Sequence, residues 1–113
     1  MALLSELDDQ IAHLWMVRTF LKHCDEAEDD EDLRDITRDL YDFILALGPP
    51  ITDNDLEAAK KQAKKKIRKL VKAESFFREI QPEISGHTNF QMAAKSLRLC
   101  VARMEKIVQE MNQ

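Results

Sequence analysis

The chain has 113 residues, of which 44% are hydrophobic and 34% are charged, and its net charge is −4. This length suits one domain, and the apolar content argues against disorder of the chain as a whole. Two glycines and three prolines are too few for a turn-rich β protein, so the composition favours helix. We therefore expect a single helical domain over residues 1–113.

Charge is divided unevenly along the chain. Residues 1–57 hold 4 Lys/Arg and 16 Asp/Glu, giving −12, whereas residues 58–113 hold 13 Lys/Arg and 5 Asp/Glu, giving +8. Seven of the eight residues in 25–32 are acidic, which predicts a solvated loop whose last acids suit the positive N-terminal end of the next helix. Such asymmetry indicates surfaces and partners rather than a fold.

The first two helices are predicted over residues 5–24 and 30–47. Ser5, with Asp8 three residues later, resembles a capping box at the start of the first helix. Apolar residues at spacings of three and four predict one buried face on the second helix. Gly48 is placed to end that helix in a left-handed conformation, and the following Pro49-Pro50 is expected to prevent its continuation.

The third and fourth helices are predicted over residues 53–80 and 89–112. Asp55 suggests a capping arrangement at the start of the third helix, and Thr88 with Gln91 forms another capping box before the fourth. Pro82 and Gly86 bracket the turn between them. Because short connections force neighbouring helices to run antiparallel, the sequence predicts an all-α, up-down-up-down four-helix bundle.

The predicted core includes Leu14, Leu40, Leu70 and Leu97. Two charged residues interrupt the apolar faces. Arg18 lies within the apolar arc of the first helix, and Glu74 lies near the apolar side of the third. Either each reaches water at an open bundle end, or the two form a buried ion pair that fixes the helix register.

Several kinds of site chemistry lack their sequence patterns here. No Glu has a His three residues later, as di-iron bundles require, and there is no Cys-x-x-Cys-His haem motif and no glycine-rich phosphate loop. We therefore predict no catalytic residue, no cofactor and no metal, although an enzyme using Glu74 as a bundle-core carboxylate stays open. Cys24 and Cys100 are expected to be reduced thiols in a cytoplasmic protein, and no segment is long and apolar enough to span a membrane.

The first helix is apolar over most of its circumference. Met16 and Phe20 lie far round from its main leucine stripe, Trp15 extends the other flank, and Leu99 points away from the apolar stripe of the fourth helix. Either the first helix sits deep in the bundle, or it makes a second contact. We take the second interpretation and expect a non-enzymatic protein-interaction or regulatory module that binds a protein partner or forms a homodimer through the first helix.

A basic stripe lies on the third helix opposite its apolar face. This stripe is expected to be a solvated surface or, as an alternative function, to bind nucleic acid or another anionic surface. The absence of interleaved aromatic residues disfavours nucleic acid. The cations proposed for this alternative are Lys61, Lys64, Lys65, Arg68 and Lys72.

Overall fold

A computed structural model of the chain describes residues 2–113. Its elements are α1 (Ala2–His23), a short 3-10 segment (Asp25–Glu28), α2 (Glu31–Thr52), α3 (Leu56–Ile84) and α4 (Thr88–Met111). Contacts join α1 to α2, α2 to α3, α3 to α4 and α4 back to α1, within a molecule of 40 × 20 × 19 Å. The prediction of an all-α four-helix bundle is confirmed.

Contacts between α1 and α4 show their relative direction. Glu6 pairs with Arg103, and the ring of Phe20 lies 5.3 Å from that of Phe90. Residue numbers thus rise along α1 as they fall along α4, so the two helices are antiparallel. Three residues separate α2 from α3, and three separate α3 from α4, which leaves room only for reversals of direction.

The core runs the length of the bundle between the four helices. Leu14, Leu40, Leu70 and Leu97 are each exposed by 1% or less, so their predicted burial is confirmed. The 3-4 spacing of leucines placed them correctly because it follows the helical period of 3.6 residues. Other large side chains with less than 2% exposure are Phe43, Phe77, Leu7, Leu21, Leu33, Ile36, Leu47, Met104 and Ile107.

The start of the first helix differs from its prediction, as does the cap of the fourth. Because α1 already begins at Ala2, Ser5 lies inside the helix and is not its cap. The residue before α4, His87, accepts a hydrogen bond from the Asn89 backbone N–H on its Nδ1 atom at 3.0 Å. The predicted capping box on Thr88 is therefore wrong, since the imidazole one residue earlier occupies that role.

Aspartates cap the two middle helices. The side chain of Asp30 accepts a hydrogen bond from the Leu33 N–H at 2.9 Å, and that of Asp55 accepts one from the Ala58 N–H at 3.0 Å. Each bond satisfies one of the free N–H groups at a helix start. The acidic stretch thus contributes a cap, but it is not an irregular loop throughout, because the 3-10 segment within it buries Ala27.

The second helix does not stop at Gly48. It continues through Pro49 and Pro50 to Thr52, and no described glycine has a positive φ. The reason is that proline fixes φ near −65°, which is the helical value, so two prolines close to a helix end are geometrically compatible with it. The left-handed conformation falls instead on Asn54, with φ of 51°.

The third helix likewise extends past its predicted end at residue 80. It runs through Pro82 to Ile84, where the backbone N–H of Ser85 donates to the carbonyl of Gln81. The buried Gln81 side chain in turn donates to the carbonyl of Ser85 at 2.9 Å. These bonds close the last turn of α3.

Candidate functional site

An apolar surface lies where α1 and α4 run side by side. Met16 and Met92 line a shallow cavity of about 450 Å³ together with Phe20, and Leu99 lines a second cavity of about 310 Å³ next to it. Ser96 lines both cavities, so they adjoin, and the second is walled mainly by polar side chains such as Gln10, His13 and Arg103. We call this surface, defined by Met16, Phe20, Met92, Ser96 and Leu99, the α1–α4 face.

Its members differ in how free their side chains are. Met16 is 65% exposed, and Met92 and Leu99 are each 53% exposed. Phe20, in contrast, is half-buried, and its ring meets that of Phe90 edge-on at 63°. Phe20 therefore forms a wall of the α1–α4 face and also belongs to the edge of the core.

Sequence reasoning missed Met92. A signal for it existed, since Met92 precedes Leu99 by seven residues and so shares a side of the helix with it. What the sequence lacked was the identity of the neighbouring helix, without which an off-stripe methionine is unremarkable.

Trp15 lies away from the α1–α4 face. Its ring packs against Tyr41 of α2, with 6.2 Å between ring centroids and an angle of 47° between the planes. The structure therefore groups Met16, Phe20 and Leu99 on one side of α1 and places Trp15 on the side that faces α2.

The predicted ion pair between Arg18 and Glu74 is wrong. The guanidinium carbon of Arg18 lies 4.8 Å from the centroid of the Trp15 ring and 4.5 Å from that of Tyr41. The Glu74 carboxylate lies 3.2 Å from Nε of Arg78, one turn further along the same helix. Arg18 faces α2 rather than α3, and Arg78 reaches Glu74 because residues four apart are neighbours on a helix surface.

A larger cavity of about 490 Å³ opens between α1, the 3-10 segment and α2. We call it the Arg18 cavity. Its walls combine basic, aromatic and small apolar side chains, namely Arg18, Lys22, Ala27, Glu28, Arg34, Thr37, Arg38 and Tyr41.

The basic stripe of α3 is exposed along its length. Among residues 2–113, none of its five cations has a carboxylate within 4 Å, and they are Lys61, Lys64, Lys65, Arg68 and Lys72. Lys69, on the side towards α2, lies 3.3 Å from Asp39 and 3.5 Å from Asp42. The hydrogen bond to Asp39 raises the pKa of Lys69 above its usual value. The five cations of the stripe, unlike Lys69, are therefore not paired with carboxylates.

Both thiols are poor nucleophiles. Burial raises the pKa of Cys100 to about 11, and partial burial also raises the pKa of Cys24. Sγ of Cys100 donates to the carbonyl of Gln10 at 3.3 Å, and Sγ of Cys24 donates to that of Leu21 at 3.0 Å. At neutral pH each side chain is therefore a protonated thiol, not a reactive thiolate.

Within residues 2–113, no cluster of three or more His, Cys, Asp or Glu side chains could hold a metal ion. No helix of that part of the chain combines the length and apolar character needed to cross a membrane. No protein-family model, curated protein or solved structure matches this chain. Function is therefore inferred from the chain's own residues.

Proposed function

We propose that this chain is a non-enzymatic protein-interaction module that forms a homodimer through the α1–α4 face. The observation that supports it is the exposure of Met16 and Met92 in one shallow cavity and of Leu99 in the adjoining one, each side chain being more than half exposed. A single exposed apolar side chain is ordinary on a protein surface, as Leu45 is here. A contiguous apolar surface spread over two helices is typical of a protein contact.

Charge along the same two helices favours a second copy as the occupant. Asp9 precedes Met16 by seven residues and Lys106 follows Leu99 by seven, so each lies on the side of its helix that bears the α1–α4 face. Because α1 and α4 are antiparallel, both charges lie toward the same end of the bundle. A twofold axis parallel to the helices would set α1 of one copy against α4 of the other. Asp9 of each copy would then lie near Lys106 of the other, which gives two equivalent charge pairs across the contact.

Sedimentation of the unmodified chain and of two charged variants tests the homodimer. We expect a dimer at tens of micromolar and a folded monomer for Met16→Glu, because an unpaired carboxylate in an apolar contact is costly to desolvate. The control, Leu45→Glu, places the same charge on α2 at a similarly exposed position and should leave the dimer intact. An unmodified chain that sediments as a monomer would refute the homodimer.

Charge reversal tests the arrangement of the two copies. Asp9→Lys and Lys106→Asp should each weaken the dimer, because each sets like charges opposite one another. Combining the two changes should restore association, since the pair is then reversed in sign. If the combined variant associates no better than the single ones, α1 does not lie against α4 of the second copy.

The free cations of α3 favour a second candidate function, the binding of an anionic polymer. Five exposed basic side chains without carboxylate partners can contact successive phosphates, and such binding weakens steeply as salt rises. Fluorescence anisotropy with a labelled single-stranded oligonucleotide measures it directly. Lys64→Gln with Arg68→Gln should reduce the affinity and the salt slope together, and an oligonucleotide that does not bind at low salt would exclude this function.

A further inference from the structure

The Arg18 cavity has a charge opposite to that of the sequence around it. Residues 1–57 contain only four basic residues among sixteen acidic ones, and all four line this cavity: Arg18, Lys22, Arg34 and Arg38. Of the sixteen acidic residues only Glu28 lines it. A positive cavity has thus been assembled from the few cations of a strongly negative half-chain.

Helix geometry brings these cations together in pairs. Arg18 and Lys22 are four residues apart on α1, and Arg34 and Arg38 are four residues apart on α2. Like charges at this spacing lie on one face of a helix and destabilise it modestly. An anion bound in the cavity would relieve the repulsion within a pair whose cations lack protein partners.

Arg18 is the least satisfied of the four. It is only 8% exposed, no carboxylate of residues 2–113 lies within 4 Å of it, and its buried Nε has no hydrogen-bond partner among the described residues. The rings of Trp15 and Tyr41 make cation–π contacts with the guanidinium, but these contacts are not hydrogen bonds. A buried guanidinium donor such as this Nε is costly when it has no acceptor.

Two of the other cations already have protein partners. Arg34 donates from Nη1 to the carbonyls of Ala27 at 3.0 Å and Glu28 at 2.7 Å, which ties the 3-10 segment to α2. Arg38 lies 3.3 Å from Asp35 in an exposed pair. Arg34 therefore shapes the wall of the cavity, whereas Arg18 and Lys22 keep their charges free for a ligand.

We infer that the Arg18 cavity binds a small molecule that carries an oxyanion, either a carboxylate or a phosphate. Arg18 is the main donor, because its planar guanidinium matches the paired oxygens of both groups. Lys22 adds a second positive charge, and Tyr41 with Ala27 offers an apolar surface for the rest of the molecule. The volume of about 490 Å³ lies within the range of about 300–1,000 Å³ typical of small-molecule sites.

The only tryptophan of the chain reports on this site. Because Trp15 contacts Arg18, its fluorescence should respond when an anion reaches the guanidinium. The probes are inorganic phosphate and benzoate, each titrated at an ionic strength held constant with NaCl. We expect a saturable change with at least one probe, and the tighter of the two identifies the phosphate or the carboxylate as the preferred group.

Matched variants locate the binding. Arg18→Met should abolish the saturable change, while Arg98→Met, which removes an exposed arginine of α4, should preserve it. Lys64→Gln on the basic stripe should also preserve it, which separates this site from the α3 surface. If Arg18→Met does not fold, Lys22→Gln should weaken binding several-fold and Glu28→Gln should strengthen it.

Either of two results would overturn the inference. One is that phosphate and benzoate each change the Trp15 fluorescence no more than NaCl does. The other is undiminished binding by Arg18→Met or, if that variant is unfolded, by Lys22→Gln.

Discussion

At the scale of single residues, Arg18 and the leucines around it occupy the same helix in opposite ways. Leu14 and Leu21 have no exposed surface, and Arg18 between them is almost as buried. The leucines gain from leaving water, whereas a guanidinium loses hydration on burial. The rings of Trp15 and Tyr41 replace part of that hydration, which explains why Arg18 is tolerated beside the core.

Truncating the predicted core leucines should lower stability strongly. Leu14→Ala and Leu97→Ala should each reduce the free energy of unfolding by about 2–5 kcal/mol, because each removes buried methyl groups and leaves a cavity. Urea unfolding followed by circular dichroism measures the loss. Leu45→Ala, at a 54% exposed position, is the control and should change stability by no more than about 0.5 kcal/mol. Equal losses at all three positions would contradict the assigned core.

Cys100 should be resistant to thiol reagents in the folded chain. With its pKa at about 11, raised from 9.0 by burial, only about one molecule in a thousand carries the thiolate at pH near 8. In a Cys24→Ser variant, the rate of modification should therefore be far lower in the folded state than in urea. Because the unfolded thiol ionises first as pH rises, the same shift should lower stability between pH 9 and 11. Equal modification rates in the two states would contradict this burial.

The burial of single residues could be predicted more fully than their partners. Leu14, Leu40 and Leu70 follow from period alone, because a helix with one apolar stripe turns that stripe to the core. The partner of Arg18 depends on which neighbouring helix its side of α1 meets. That is set by the rotation of α1 about its own axis within the bundle, which could not be predicted from the sequence. The grouping of four cations in one cavity was beyond sequence reasoning for the same reason.

At the scale of elements, the ends of helices carry most of the differences from expectation. The glycine and prolines at 48–50 and the proline at 82 predict helix ends, yet α2 and α3 pass through them. The fixed φ of proline is helical, so the helix can continue, but each proline still removes one N–H and crowds the carbonyl four residues earlier. The middle of each helix was predictable from the period of its apolar residues. The ends were not, because several residues near each end could cap or stop the helix.

Replacing Pro49 by alanine should stabilise the chain. Pro49 is exposed and lies inside α2, so alanine restores an N–H for the carbonyl of Leu45 without loss of buried surface. After subtraction of the added freedom of the unfolded chain, we expect a gain of about 1–2 kcal/mol. Thermal unfolding measures it.

Pro50→Ala is the comparison, because Pro50 is buried and the change also removes buried apolar surface, so its gain should be smaller. A loss of stability in Pro49→Ala would show that the helix ends before residue 49.

At the scale of the whole molecule, the order of the helices converts an asymmetry along the chain into one across the bundle. The two helices of the acidic half of the chain, α1 and α2, pack side by side, as do α3 and α4 of the basic half. The ion pairs between helices fall on the two boundaries where acid meets base. At one of them Lys69 reaches Asp39 and Asp42, and at the other Arg103 reaches Glu6.

This layout predicts a second, weaker kind of association at low salt. The acidic side of one molecule should attract the basic side of another at about 0.01 M salt, and about 0.5 M salt should screen that attraction. Association through the apolar α1–α4 face should persist, since apolar burial does not depend on charge. Light scattering at both salt concentrations, with Met16→Glu beside the unmodified chain, separates the two. If high salt converts the unmodified chain to monomer, charge rather than apolar contact drives its association.

The pairing of α1 with α4 also sets the order in which the bundle comes apart. Glu6 and Arg103 are separated by 97 residues, whereas Asp42 and Lys69 are separated by 27, so closing the longer loop costs about 1 kcal/mol more entropy. No short loop connects α1 to α4, and we call the boundary between these two helices the α1–α4 seam. We expect local opening to begin there and the backbone amides of α1 to exchange with solvent before those of α3. A second copy seated on the α1–α4 face would close that seam, and dimerisation would then slow amide exchange on the side of the molecule where it forms.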